Sequence, residues 1–346
     1  VSDKTNIAWC DATFNPWIGC TKVSPGCAHC YAEKSTPVRT WGIEWGKGRP
    51  RNRTTVTTWR KPLSWDTAAG RHLFVECSVC GGREFRKWDN RLPPGGLSCC
   101  GTSGCLALPE TEMSVVRPRV FCGSLCDWLD DEVPIQWMAD LLDLICRTPK
   151  LDWLLLTKRP ENWNKRMVGA QATGSREDGL SMDGPGPETG HCVAYDWLHN
   201  LPPSNVWLGV SAEDQQRWDE RVPALLSIPA AKRFVSVEPM LGPIEMCDDE
   251  VGRNDDNPRV FPGIDWIIFG GESGPNARSC NIEWIRDGVR QCREVGAVPF
   301  VKQLGARPVN SCGVSGVVPL GTLPHMRPWE DPAEWPDDLR VREWPV

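Results

Sequence analysis

The 346-residue chain carries 39 Lys and Arg against 45 Asp and Glu, a formal net charge of -6, with 40% hydrophobic and 24% charged residues. This is an ordinary globular composition, and its acidic balance argues against a general nucleic-acid binder while leaving room for a local basic patch. No apolar run approaches the roughly 20 residues that a bilayer crossing needs. The opening VSDKTNIAWCDATFNPW has no basic start followed by an apolar stretch, so no secretory signal is expected and the chain reads as cytoplasmic.

In chain order, the first strand-like run is Phe14 to Ile18, followed by the loop from Gly19 to Tyr31 that holds Cys20, Cys27 and Cys30. Lys47, Arg49, Arg51, Arg53, Arg60 and Lys61 then form a basic segment with no acid among them, flanked by Trp45 and Trp59. Cations beside stacking aromatics suit a nucleic-acid backbone with an exposed base, and a solvated basic loop is the plainer reading. Residues 70–117 are rich in Gly, Pro and Cys and lack a long apolar period, which marks an inserted module unable to build its own core.

From residue 120 the chain settles into a rhythm. Short apolar runs at Val120 to Leu125, Leu151 to Leu156, Val206 to Val210, Arg233 to Val237, Ile264 to Phe269 and Pro299 to Val301 each end in a polar cluster. Runs this short and apolar read as strands buried on both faces. Helical spacing recurs between them, at Ile135, Met138, Leu141, Leu142 and Ile145, at Trp218, Val222 and Leu225, and at Ile282, Ile285, Val289, Cys292 and Val295. The last helix is framed by Asn281 as N-cap and Gly296 as stop. Alternating strands and helices imply parallel pairing, and polar groups at successive strand ends favour a barrel over a doubly wound sheet. Residues 167–192 read as a long, lid-like loop, and 246–263 as an acidic loop.

The predicted fold is therefore α/β, a partial (β/α)6-type barrel over residues 1–69 and 118–309. A zinc-ribbon-like module over 70–117 interrupts it, and a tail over 310–346 packs on it.

Seventeen Cys without a secretory signal point to metal ligation, because cytosolic thiols stay reduced. Cys20, Cys27 and Cys30 sit on one short loop after the first strand, where thiolates can converge. Three Cys without an obvious fourth suggest a [4Fe–4S] cluster with one open iron. Zinc is the rival, with His29 or Cys10 completing a tetrahedron. In the insertion, the Cys77 and Cys80 knuckle followed by Cys99, Cys100 and Cys105 has zinc-ribbon spacing, with either Cys99 or Cys100 pairing with Cys105. The predicted zinc set is Cys77, Cys80, Cys100 and Cys105. Cys146 and Cys292 are placed in the core, and Cys126, at a strand end, is a candidate catalytic thiol. The 19 Trp are assigned mostly to the core.

Several segments carry a resemblance. CDATFNPWIGCTKVSPGC, SLCDWLDDEVP, LLTKRPENW, VWLGVSAEDQ, AAKRFVSVEPMLGPI, DWIIFGGESGPNAR and VPFVKQLG together resemble the phage Gp37/Gp68 (DUF5131) family over residues 5 to 69 and 118 to about 307. The Cys loop and partial barrel in turn resemble the radical S-adenosylmethionine (SAM) superfamily, although this chain has Cys20-x6-Cys27-x2-Cys30 where that superfamily has CxxxCxxC. Its Gly-Gly-Glu stretch, usually on an early strand, falls here on a late one.

The resemblance implies an enzyme whose [4Fe–4S] cluster binds SAM and, once reduced by a partner such as flavodoxin, cleaves it to a radical that abstracts a substrate hydrogen. It implies Ser124, Asp127, Thr157, Ser211, Glu213, Gly270, Gly271, Glu272 and Lys302 as cofactor contacts, and Cys126, Lys158 and Glu238 as catalytic candidates. Lys158 and Arg159 could hold the SAM carboxylate or a phosphate. Phage association points to a nucleobase in DNA, or a nucleotide, as the substrate, reached through the Lys47 to Lys61 segment. Two rival readings stand beside it: a hydrolase using Glu213, Glu238 and Glu272 as acid and base, and a zinc-binding barrel protein without iron.

Overall fold

The computed structural model describes residues 5–77, 83–87, 113–173, 189–246, 263–311, 317–319 and 331–345. Its centre is a curled, seven-stranded parallel half-barrel. The strands are β1 (Ala12–Phe14), β2 (Arg119–Cys122), β3 (Asp152–Thr157), β4 (Val206–Ser211), β5 (Lys232–Val237), β6 (Trp266–Gly270) and β7 (Val298–Gln303), paired in that order. Six of them match the apolar runs from residue 120 onwards. The seventh is Ala12–Phe14, so the run expected from Phe14 to Ile18 is divided: Trp17–Ile18 leaves the barrel and pairs antiparallel with Asn52–Arg53. Pro16, which cannot donate to a ladder, stands at the break.

Helices cover the outer face. They are α1 (Ile135–Cys146), α2 (Trp163–Ala172), α3 (Thr189–Leu198), α4 (Gln215–Leu226) and α5 (Ile282–Val295). In α1 the expected stripe is buried, with Met138, Leu141, Leu142 and Ile145 all at 0% exposure. In α5 the Asn281 side chain accepts from the Glu283 amide, and Gly296 closes the helix in the left-handed region at φ +74. Cys146, expected in the core, is exposed; it is the last residue of α1, and one residue beyond buried Ile145 the helix has turned by about 100°.

Residues 167–192 are not one loop. α2 runs to Ala172 and buries Met167 and Ala170, while α3 begins at Thr189 and buries Ala194 and Trp197. The short apolar stripes of both helices are masked in sequence by Gly and polar neighbours. The lid-like stretch between them lies outside the described residues, as does most of the acidic loop at 246–263.

Inside the curl, alternate residues of each strand stack in layers. Phe121, Leu154 and Trp207 are in register across β2 to β4, Phe234 is level with Trp266 and Ile268 with Phe300 across β5 to β7, and Trp9 joins from the N-terminal segment. Trp9 and Phe121 have ring centroids 4.4 Å apart. From the opposite end of the chain, Trp344 packs 5.0 Å from Trp266 and 4.8 Å from Phe300. The Val301 amide donates to the Val341 carbonyl at 2.7 Å and Arg342 bridges antiparallel to Phe300, so the tail covers the β7 edge that would otherwise expose unpaired backbone groups.

The insertion contains strands that its sequence did not announce. His72–Cys77 pairs antiparallel with both Arg83–Lys87 and Met113–Val115, and the preceding helix, Val56–Arg71, runs past the expected boundary at 69. Of the predicted zinc ligands only the backbone of Cys77 is described; Cys80, Cys100 and Cys105, together with Cys99, lie outside the described residues. No described helix is long and apolar enough to cross a membrane.

Candidate functional site

Above the aromatic layers, at the C-terminal ends of the parallel strands, the curl opens into a cavity of about 220 Å³ that reaches the surface. This is the end of a parallel barrel where backbone geometry gathers loop side chains. The Cys loop forms one wall. Cys20, Cys27 and Cys30 all line the cavity, with His29 and Tyr31 between and beside them.

Thirteen of the sequence-predicted site residues come together here: the three Cys, Ser124, Cys126, Asp127, Thr157, Lys158, Ser211, Glu238, Gly271, Glu272 and Lys302. Two do not reach the cavity lining. The Glu213 side chain is 0% exposed, and Gly270 lies under Glu238, where a Cβ would stand 3.2 Å from the Glu238 carboxyl carbon. Gly271 is held for its backbone: an added Cβ would lie 2.4 Å from the Leu304 carbonyl oxygen.

The Cys loop is bound to the barrel by charged side chains from four directions. Glu213 accepts from the Gly26 amide at 2.9 Å and pairs with Arg221 at 3.0 Å. Burial alone would raise the Glu213 carboxyl, but Lys158, Ser24, Arg221 and the Gly26 amide hold it below its ordinary value. Glu272 takes both the Arg278 guanidinium, at 2.6 and 2.9 Å, and His29 Nδ1 at 3.1 Å. Against the upward push of burial, the bonds from Arg278 and His29 bring the Glu272 carboxyl down to about 2. Arg278 also donates to the Pro25 carbonyl at 2.9 Å.

Arg159 approaches a thiol directly. Its Nη1 and Nη2 stand 3.5 and 3.6 Å from Cys20 Sγ, and Nη2 donates to the Thr21 carbonyl at 2.6 Å. Asp127 anchors the guanidinium at 2.8 Å and is itself fixed by the Thr157 hydroxyl at 2.7 Å and the Lys158 amide at 3.0 Å. Burial lifts the Cys20 thiol to about 12, with Arg159 pulling the other way. Cys126 is raised well above the ordinary range by burial and by nearby Cys122 and Cys20, which does not suit a free nucleophilic thiolate.

Among the described residues, no three Cys, His, Asp or Glu side chains stand gathered as a metal group. Cys27 Sγ lies 3.9 Å from the Ser24 hydroxyl, and Cys20 Sγ faces Arg159 and the Thr21 carbonyl. The donor set nonetheless fits an iron–sulfur cluster better than a carboxylate-bound ion. It offers three soft thiols from one loop around one cavity, with cationic N–H donors beside the first of them. Binding would require the thiols to turn inward and lose their protons.

The basic segment is not a free cationic stripe. Arg51 pairs with Asp130 at 2.8 Å with both side chains 0% exposed, and Arg53 pairs with Asp140 at 2.6 Å while stacking 4.6 Å from the Trp59 ring centroid. Arg49 pairs with Glu44 at 2.9 Å, and Trp59 is 3% exposed. These contacts leave the central arginines and Trp59 committed to the fold. Asp130 is 79 residues along the chain from Arg51, so the neutralisation is invisible in a local reading of charge.

Sequence reasoning missed Arg221, Arg278, Ser236 and Trp9. No spacing rule connects the two arginines to the Cys loop, because their partners meet them only in space. Ser236 had a signal, its place two residues before Glu238.

A family model described as a protein of unknown function (DUF5131) matches residues 4–321. The chain belongs to the DUF5131 family. No curated protein matches it, and no solved structure does. The DUF5131 match spans β1 to β7, so the whole half-barrel and both sides of the cavity fall within the family's shared region.

Proposed function

We propose that this DUF5131 chain is a radical SAM-type enzyme, with Cys20, Cys27 and Cys30 as the ligands of a [4Fe–4S] cluster in the cavity. The observation that carries the reading is the shared position of those three thiols, on one loop, around one cavity at the C-terminal mouth of a parallel half-barrel. The chemistry that such a cluster supplies when bound is one-electron reductive cleavage of SAM.

The protein's own groups support that chemistry in distinct ways. Arg159 donates toward Cys20 Sγ, which favours the thiolate needed for ligation. Glu213 and Glu272 act on the loop, through Gly26 and His29, and thereby set where the thiols stand. The layer of Trp9, Phe121 and Leu156 keeps the floor apolar, limiting the water that would quench a reactive intermediate. Ser124, Lys158 and Ser273 offer polar contacts around the mouth.

A two-carboxylate hydrolase is less well supported. Glu213 is sealed from the cavity and Glu272 is committed to Arg278 and His29, leaving Glu238 without a second free carboxylate among the described residues.

Metal content of anaerobically purified and reconstituted protein tests the reading. About four iron per chain, lost in Cys27→Ala, followed by SAM cleavage under a strong reductant, is the expected result. Zinc at the Cys loop and no iron after reconstitution would overturn it. Zinc lost with Cys77→Ala alone would assign the second metal to the insertion.

A further inference from the structure

The cavity has a second wall that the Cys loop does not use. Ser211 and Ser236 are register partners on β4 and β5, each 2% exposed, and both line the cavity. Neither hydroxyl has a hydrogen-bond partner among the described residues. Two residues after Ser236, just past the end of β5, stands Glu238, which lines the same cavity. Its Oε1 accepts from Lys302 Nζ at 2.5 Å and from Gln303 Nε2 at 2.7 Å; its Oε2 has no partner among the described residues. Lys302 gives one of its three N–H bonds to Glu238 and is 23% exposed, against 17% for Glu238.

This wall is therefore a fixed acceptor beside a fixed donor, with two spare hydroxyls below them. These groups open onto the cavity, and a ligand that displaced water from them without replacing its hydrogen bonds would lose affinity, so the wall selects a ligand that completes it. Gly270 makes the arrangement possible, since any larger residue there would press on the Glu238 carboxyl. Trp9, Phe121 and Leu156 supply flat, apolar surface on the side of the cavity formed by β2 and β3.

We propose that this wall is the substrate subsite, and that it takes a planar nitrogen heterocycle of the nucleobase type. The base presents an edge on which an N–H donor adjoins a carbonyl or ring-nitrogen acceptor. The N–H donates to Glu238 Oε2, the acceptor takes a bond from Lys302 Nζ, and the ring face lies against the apolar side. An aliphatic chain would leave Glu238 and Lys302 unanswered, and a phosphate would be repelled by Glu238. The inference deepens the enzyme reading above and rests on the cavity being an active site. It does not draw on the basic segment, whose arginines are engaged elsewhere.

The test is equilibrium binding to the full-length protein, by calorimetry, of uridine, guanosine, adenosine and cytidine and of short single-stranded oligonucleotides. N3-methyluridine and N1-methylguanosine, which block the edge, serve as comparators. The expected result is binding of uridine, guanosine or an oligonucleotide, weakened about 10- to 100-fold by methylation of that edge and by Glu238→Gln or Lys302→Met. Binding of adenosine alone, the nucleoside of SAM itself, would assign the wall to the cofactor and overturn the proposal. Binding of the nucleoside identifies a free small molecule as the source, and binding of the oligonucleotide alone identifies a base within a strand.

No binding by any probe, or binding indifferent to edge methylation and to both substitutions in variants that melt like the parent, overturns the proposal. Running the series on the Cys27→Ala chain separates the two readings. Edge-dependent binding that persists there shows that the subsite stands without the cluster, and a parent protein that binds the base but takes up no iron on reconstitution would keep the subsite and remove the cluster. Iron-dependent SAM cleavage without nucleobase binding would do the reverse.

Discussion

The Gly26 amide donates to the Glu213 carboxylate at 2.9 Å across 187 residues of sequence. A Cβ on residue 26 would lie 2.8 Å from the Glu213 carboxyl carbon, so a larger residue here would force that carboxylate to shift. The contact joins the tip of the Cys loop to the end of β4, and Arg221 backs it from α4. The Cys loop is in this way referenced to the barrel rather than left to its own flexibility.

Glu213→Ala removes both partners' acceptor and leaves Arg221 as a buried, unpaired charge. The expected cost is about 3–5 kcal/mol, read as a lower denaturation midpoint. Iron retention after reconstitution should fall as well, since the loop loses an anchor. Glu213→Gln should recover part of the loop contact and little of the ion pair. Unchanged stability in Glu213→Ala would show that the carboxylate is not engaged as described.

Gly271→Ala should destabilise the fold by about 1–3 kcal/mol, because the new methyl meets the Leu304 carbonyl oxygen at 2.4 Å and the Gly305 Cα at 2.8 Å. Backbone atoms on both sides cannot move aside as a side chain could. Gly242→Ala is the control, with nothing within 4 Å of its Cβ position. Urea melts with equal slopes and separated midpoints would give the difference directly.

Arg51→Ala tests the reading of the basic segment. Asp130 would be left buried without its 2.8 Å partner, at an expected cost of about 3–5 kcal/mol. Lys47→Ala should stay within about 0.5 kcal/mol. A stable Arg51→Ala protein with a shallower salt dependence of oligonucleotide binding would instead return this arginine to a nucleic-acid role.

Acid should loosen the Glu272 clamp in a defined window. Its carboxyl is held at about 2 in the folded protein against an ordinary value of 4.5. A depressed folded value means that the stabilisation is complete above pH 4.5, declines as pH falls, and is gone below about 2. The stability difference between the parent and Glu272→Gln should therefore shrink over that interval. A difference that stays level from neutral pH down through it would show that Arg278 and His29 do not favour the charged form.

Much of this protein could be read along the chain because its causes are local. Apolar runs too short for helices, the stripe in α1, and the Asn281 and Gly296 ends of α5 all depend on neighbours within a few residues. The three Cys of one loop and the polar strand ends marked the mouth of the sheet for the same reason, since strand periodicity and parallel order carry every strand end to one side. Tertiary structure alone decided which of those polar groups face the cavity. It turned Glu213 and Glu272 inward to clamp the loop and left Glu238 open toward Lys302. It also consumed Arg51 and Arg53 in ion pairs with Asp130 and Asp140. Charge pairing acts through distance in space, which the spacing of residues along the chain does not encode.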